Sequence, residues 1–232
     1  MRVLWGCGLA VLLGAASCKR EAPTPAAAPV PAAPKPADQR ARFASFWAWA
    51  AEHLAELKKV ETGREPVVES LGAELEKVDP GLTYELGLGK PVFELIISAD
   101  GKKALFPLVK ALVAAAPTLE GTTVIAFRPR KDADFRLKVG DVAVGGPDVS
   151  FVAQKDAERP GMIAVTAYVK GLTKENLEAV ENGTFLLIEA VVGEYDLATK
   201  LGAIDVQPLP ATPPEGAKPL AELPAVVDAW GR

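Results

Sequence analysis

The sequence predicts an α+β fold: a mostly antiparallel sheet with helices packed on a face. Three observations carry this expectation. Apolar residues recur at helical spacing in five segments and as short β-branched runs in others. Clusters of Gly, Pro and Asp punctuate them. The order strand, strand, helix, strand runs over 82–127 and again over 149–206, which suggests a ββαβ duplication in topology, without matching residue identity.

The first helix opens near Asp38 or Gln39. Phe43, Phe46, Trp47, Ala50, Leu54 and Leu57 form one apolar stripe, with Trp49 beside it. Gly63 breaks the pattern, and Pro66 starts a second helix whose inward face is Val67, Val68, Leu71, Leu75 and Val78. Asp79-Pro80-Gly81 is a turn. Strands follow over 82–88 and 92–98, joined by Gly89-Lys90-Pro91; the β-branched second strand reads as buried. Asp100-Gly101 leads into a helix, with Asp100 as its N-cap and Pro107 in its first turn. Leu108, Val109, Leu112, Val113 and Ala116 face inward, and Pro117 ends it. Residues 122–127 form the next strand.

A small hairpin joins 135–139 to 142–144 across Gly140-Asp141. Strands over 149–154 and 162–169 come next. Thr173 is the expected N-cap of a long helix that buries Leu177, Val180, Thr184, Leu187, Ile188 and Val191 and stops at Gly193. Gly183 costs about 1 kcal/mol inside a helix, so either it admits a closely packed neighbour or the helix breaks there. A strand over 201–206, a Pro-rich loop over 207–219 and a helix over 220–230 complete the domain. The last helix docks through Leu223, Val226, Val227 and Trp230.

The N-terminal forty residues set the location. Arg2 precedes an apolar run from Val3 to Ala16, too short for a comfortable membrane span. The run ends Gly14-Ala15-Ala16-Ser17-Cys18, which resembles a bacterial lipobox. That resemblance implies a signal peptide over 1–17 and acylation of Cys18, which would hold the protein on a bilayer. The plainer alternative is cleavage near Ala16 without a lipid. Lys19 after the Cys favours the outer membrane slightly, with the domain facing the periplasm or cell surface. Six of residues 21–38 are Pro, so the segment is a polyproline-type tether; at about 3.1 Å per residue it reaches roughly 55 Å. The lipidated Cys and tether run over 18–40, and a single domain spans 41–232, long enough for a substantial core.

Composition removes many functions. The 232 residues carry a net charge of −4, or −5 once Arg2 is lost, so there is no basic surplus for nucleic acid. Two Cys and one His are too few for most zinc sites, disulfide frameworks or Cys–His catalysis. His53 has no HExxH context, and no GxSxG, Walker or dinucleotide glycine pattern occurs. No metal site and no cofactor are expected. Carboxylates remain: Glu189, Glu194 and Asp196 near the end of the long helix, and Asp100 at a strand corner. A pair of them suits general acid–base work on a glycoside, though solvated loop acids are the ordinary reading. Arg128, Arg130 and Lys131 form a cluster suited to a phosphate or carboxylate, or simply a solvated loop.

The segments Phe46-Trp47-Ala48-Trp49, Ile96-Ile97-Ser98-Ala99-Asp100-Gly101, Ala114-Ala115-Ala116-Pro117, Ala126-Phe127-Arg128-Pro129-Arg130 and Gly193-Glu194-Tyr195-Asp196 occur in this order. Together they resemble a bacterial domain family of unknown function, over about 43–206 and with the tail from Leu223 to Trp230. Ala50 stands where the family pattern has an aromatic. The resemblance implies an α+β domain and no catalytic residues.

Two functions follow as expectations. The first is a membrane-anchored envelope lipoprotein whose domain binds a protein or envelope component without catalysis; a regulator of an assembly machine is one form of it. The second is a carboxylate-dependent hydrolase of envelope glycan. Asp100, Arg128, Arg130, Glu189, Glu194 and Asp196 are the candidate ligand-binding residues, and Cys18 is the lipidation site.

Overall fold

A computed structural model describes residues 36–88 and 92–230. The signal segment, Cys18, most of the tether and the turn Gly89-Lys90-Pro91 lie outside the described residues.

Helix α1 (Pro36–Glu52) begins slightly before the expected start, because proline fits the first turn of a helix and Asp38 complements its dipole. Phe43, Phe46, Trp47 and Ala50 are buried along its inner face. The expected single helix is two pieces. The chain turns at His53 and resumes as α2 (Leu54–Leu57), which buries Leu57. The His53 ring stacks on Trp49, with centroids 4.4 Å apart and 15° between planes. Its Nδ1 lies 2.9 Å from the Trp49 carbonyl oxygen. Helix α3 (Pro66–Val78) matches its prediction and buries Val68, Leu71, Leu75 and Val78.

Strands β1 (Thr83–Gly87) and β2 (Phe93–Ser98) pair antiparallel. The chain then crosses over through α4 (Phe106–Ala114) to β3 (Thr122–Ala126), which pairs parallel with β2. A helical crossover brings the chain back to the same end of the sheet, so the returning strand must run parallel. Asp100 does not cap α4. A 3-10 turn over Lys103–Leu105 precedes that helix, and Asp100 sits upstream with φ +52°.

The hairpin β4 (Arg136–Val139) and β5 (Val142–Gly145) follows. Then the first pattern recurs. Strands β6 (Val149–Lys155) and β7 (Ile163–Val169) pair antiparallel, and β7 pairs parallel with β8 (Leu201–Pro208). The crossover here is two helices, α5 (Leu177–Val192) and α6 (Glu194–Lys200). Helix α6 has no counterpart in the sequence-based expectation. Short β9 (Lys218–Pro219) adds to β6, and α7 (Leu223–Ala229) closes the domain. The duplication therefore extends from element order to strand pairing. Among the described residues most pairings are antiparallel, but the strands lie in three separate sheets, because each ββαβ unit encloses its own core.

Two details of α5 depart from expectation. It starts at Leu177, not after Thr173. Asn176 accepts a hydrogen bond from the Thr173 N–H at 2.7 Å and donates to the Gly171 carbonyl, forming a turn that replaces the first helical turn. The helix also runs unbroken through Gly183. A Cβ there would lie 3.0 Å from Val144 Cγ2, so the glycine admits the hairpin against the helix.

One core packs α1 to α4 on the first sheet; the Trp47 Nε1–H donates to the Leu112 carbonyl at 2.9 Å and ties α1 to α4. The other packs α5, α7 and the hairpin on the second sheet. Among the described residues, no helix is long and apolar enough to cross a membrane.

Candidate functional site at the seam between the two units

The two units meet where α5 gives way to α6. Gly193, at φ +80° and ψ 153°, makes that junction in a conformation that glycine alone adopts readily. A Cβ would stand 3.2 Å from the Arg128 carbonyl oxygen. The approach carries Glu194 into the first unit, where it is wholly buried. Its Oε1 accepts from the N–H groups of Ala99 (3.0 Å) and Gly101 (3.1 Å), and its Oε2 from the N–H of Arg128 (3.1 Å). A carboxylate in a dry seam is tolerable because these amides supply the solvation it loses.

The segments that donate to Glu194 are themselves unusual. Asp100 (φ +52°) and Gly101 (φ +72°) turn the backbone so that the amides of Ala99 and Gly101 converge. Phe127 holds φ +69°, rare for a bulky residue. Its N–H donates to the Ile97 carbonyl at 2.8 Å, and its ring packs at 4.6 Å from Phe106 and 5.3 Å from Tyr195. Lys110 Nζ stands 4.2 Å above the Tyr195 ring.

The Arg128 side chain points to the other side of its strand end and gathers three carboxylates. Nε donates to Glu85 (2.5 Å), Nη1 to Glu189 (2.9 Å) and Nη2 to Asp100 (3.0 Å). Burial pushes the Arg128 guanidinium down, but the bond to Asp100 and the charges of Glu189 and Glu85 outweigh it and raise its pKa. Arg130 makes a second centre. It donates to Asp228 at 2.7 Å and 2.9 Å, to Asp196, and through Nε to the Val192 carbonyl. Asp228, more than partial burial opposes, raises its pKa. Asp196 also pairs with Lys200 at 2.9 Å.

A cleft of about 320 Å³ opens over the first centre, lined by Glu85, Asp100, Arg128, Lys131 and Glu189, with Phe135, Leu137 and Leu186 as an apolar wall. It falls within the range of small ligand sites. A second cleft of about 340 Å³ lies past Asp100, lined by Gly101, Lys103, Arg159, Phe185 and Leu197 among others. Between the two stand Phe185 and Leu186 of α5, 45% and 46% exposed.

Asp100, Arg128 and Glu189 thus come together as one cluster. Arg130 and Asp196 belong to the adjacent pair with Asp228, and Glu194 is enclosed between the units. A glycosidase needs two carboxyls that reach a sugar across open space. Glu194 has both oxygens on backbone amides, Asp196 is held by two cations, and Asp100 and Glu189 both face Arg128. Two partners were missed in the sequence, Glu85 and Asp228. Glu85 carried a signal: it alternates with Tyr84 and Leu86, so it faces the other side of β1. Asp228, in a short terminal helix, carried none.

No protein-family model, curated protein or solved structure matches the chain.

Proposed function

We propose that the chain is a membrane-anchored envelope lipoprotein, held through acylated Cys18, whose domain binds a macromolecular partner without catalysing a reaction on it. By composition the Pro-rich segment after Cys18 suits a spacer between bilayer and domain, and the domain presents a prepared surface. The observation that carries the binding reading is the exposed pair Phe185 and Leu186 on α5, set between two clefts. Contiguous exposed apolar surface marks interaction sites, and Leu186 continues into the first cleft beside Phe135 and Leu137 as Phe185 does into the second beside Leu197. The charged groups of the first cleft are fixed by Arg128, which suits recognition by shape and charge.

The test is cross-linking in living cells, with the native chain compared with the double variant Phe185→Ala, Leu186→Ala. A reproducible partner that the double variant loses supports the reading. An unchanged set of partners refutes it. Release of fragments from purified envelope glycan by the native chain, abolished in Asp100→Asn, would replace it with the hydrolase.

A further inference from the structure

The second cleft differs in kind from the first. Leu197 of α6 and Leu201 and Ile204 of β8 line it and pack on the second core, while Ala198 lines it and packs on the first. Met162 and Phe185 extend this apolar lining. Among the described residues its charged lining is Lys103 and Arg159, one from each unit, with no carboxylate beside them. The chain as a whole has a net charge of −4, and the first cleft carries Glu85, Asp100 and Glu189. Cations without acids therefore set the second cleft apart.

Local structure holds Arg159 at this cleft. The Asp156 carboxylate accepts the N–H groups of Glu158 (2.8 Å), Arg159 (2.9 Å) and, from β8, Ala203 (2.8 Å). The Met162 N–H donates to the Arg159 carbonyl at 3.0 Å. Strand β8 carries one extra residue here, since Ile163 pairs with Leu201 but Val165 with Ile204. Gly202 permits this bulge, because a Cβ would collide with the Asp156 carboxylate. The loop bearing Arg159 and Met162 is thus pinned to β8. Three amides satisfy Asp156, so the Arg159 guanidinium touches it only at 3.5 Å and keeps its other donors. Lys103, in the turn before α4, has no side-chain hydrogen bond or ion pair among the described residues. Carboxylates of adjoining segments are engaged elsewhere: Asp100 on Arg128, and Glu194 on the amides of Ala99, Gly101 and Arg128.

The lining selects the ligand. A sugar or a bare phosphate would set its polar groups against Leu and Ile without partners. A basic ligand would meet two cations. The volume of about 340 Å³ lies at the low end of ligand cavities, which suits one chain of modest length and not a whole phospholipid. We infer that the second cleft binds an amphiphilic monocarboxylate, a fatty acid of medium chain length. Its chain lies on Leu197, Leu201, Ile204 and Met162, and its carboxylate pairs with Lys103 and Arg159. This small-molecule site goes beyond the macromolecular reading above and does not rest on it.

The test titrates decanoate into the whole mature chain, residues 18–232, carrying Cys18→Ser so that no detergent competes. Methyl NMR follows Leu197, Leu201 and Ile204. The expected result is saturable shifts at these methyls, with decanol, the uncharged counterpart, bound about tenfold more weakly. Lys103→Met with Arg159→Met, at exposed positions that leave the circular dichroism unchanged, should weaken decanoate about tenfold and leave decanol as it was. No saturable shift at Ile204, or decanol bound as tightly as decanoate, overturns the inference. So does a decanoate affinity that the double variant leaves unmoved. Displacement of decanoate by equimolar inorganic phosphate would show a bare anion site, and tighter binding of lysophosphatidylglycerol a lipid headgroup site; either overturns it. None of these outcomes alters the cross-linking comparison that tests the binding reading.

Discussion

Glu194 and Arg128 hold each other through the backbone in both directions. The Glu194 N–H donates to the Arg128 carbonyl at 3.0 Å, and the Glu194 carboxylate accepts the Arg128 N–H at 3.1 Å. The same carboxylate reaches the turn after β2, so one side chain fastens two strand ends of the first unit to the helix junction of the second. Arg128 is thereby placed with its guanidinium toward Glu85, Asp100 and Glu189.

Glu194→Gln should be costly despite its equal size. The amide has one acceptor, and its NH2 group must face at least one backbone donor. Leaving a buried group unsatisfied costs about 1–3 kcal/mol, and more when it replaces a charge-assisted bond. Urea denaturation of the variant should show a lower midpoint with an unchanged slope.

Gly193→Ala combines an unfavourable backbone with a close contact, 3.2 Å from the Arg128 oxygen. Gly63→Ala is the control: φ is +73°, but no atom lies within 4 Å of the added carbon. The control should lose about 1–2 kcal/mol from backbone strain alone, and Gly193→Ala clearly more. Equal losses in thermal unfolding would remove the role given to the Gly193 contact.

Arg128→Met leaves Glu85, Asp100 and Glu189 facing one another without the guanidinium that joins them. Breaking a buried pair costs about 3–5 kcal/mol; partial exposure of Asp100 and Glu85 should bring the loss nearer 2 kcal/mol. Asp100→Asn, at the most exposed partner, should lose under about 1 kcal/mol. Chemical denaturation of the two variants checks the order.

Two carboxylates outside the seam predict acid sensitivity. Backbone N–H donors of Thr62 and then Glu61 hold the Glu65 carboxyl down to about 2. The amide of Ala203, followed after opposing burial by those of Glu158 and Arg159, lowers Asp156. Both favour the ionised form in the folded state. Their stabilisation is complete above about pH 4.5, the ordinary carboxylate range. It is lost as pH falls from there toward 2 for Glu65, and as pH falls below 3.8 for Asp156. Asp156→Asn should therefore be less stable than the native chain at pH 7, with the gap closing below pH 4. A gap that does not narrow in acid would count against this reading.

Under the proposed anchoring, Cys18→Ser should move the protein from the membrane to the soluble fraction on cell fractionation, because it removes the thiol that would carry the lipid. Retention in the membrane fraction would remove the anchor from the proposed function.

The fold was legible where its signals were local. The Phe43 to Ala50 stripe, the Val67 to Val78 face and the β-branched run before Ser98 are each set by neighbours a few residues apart. Thr173 misled because Asn176 competes for the same backbone within a single turn. Helix α6, at seven residues, is too short for a period to emerge. The site was half legible. Asp100, Arg128 and Glu189 could be singled out as residue types, but their convergence depends on contacts across 28 and 61 positions. The burial of Glu194 depends on amides up to 95 positions away, and a sequence does not record which backbone groups lack partners.

The separation of the two cores has a kinetic corollary. The first core draws almost entirely on residues 43–127 and the second on residues 133–230, so each can collapse from contiguous chain with modest loop-closure entropy. The clasp around Glu194 needs both strand ends of the first unit already in place, which makes it a late contact. Substitutions there should leave refolding rates nearly untouched and accelerate unfolding, the signature of an interaction absent from the transition state. The lifetime of the native protein would then be set at the joint, even though most of the apolar burial lies in the halves.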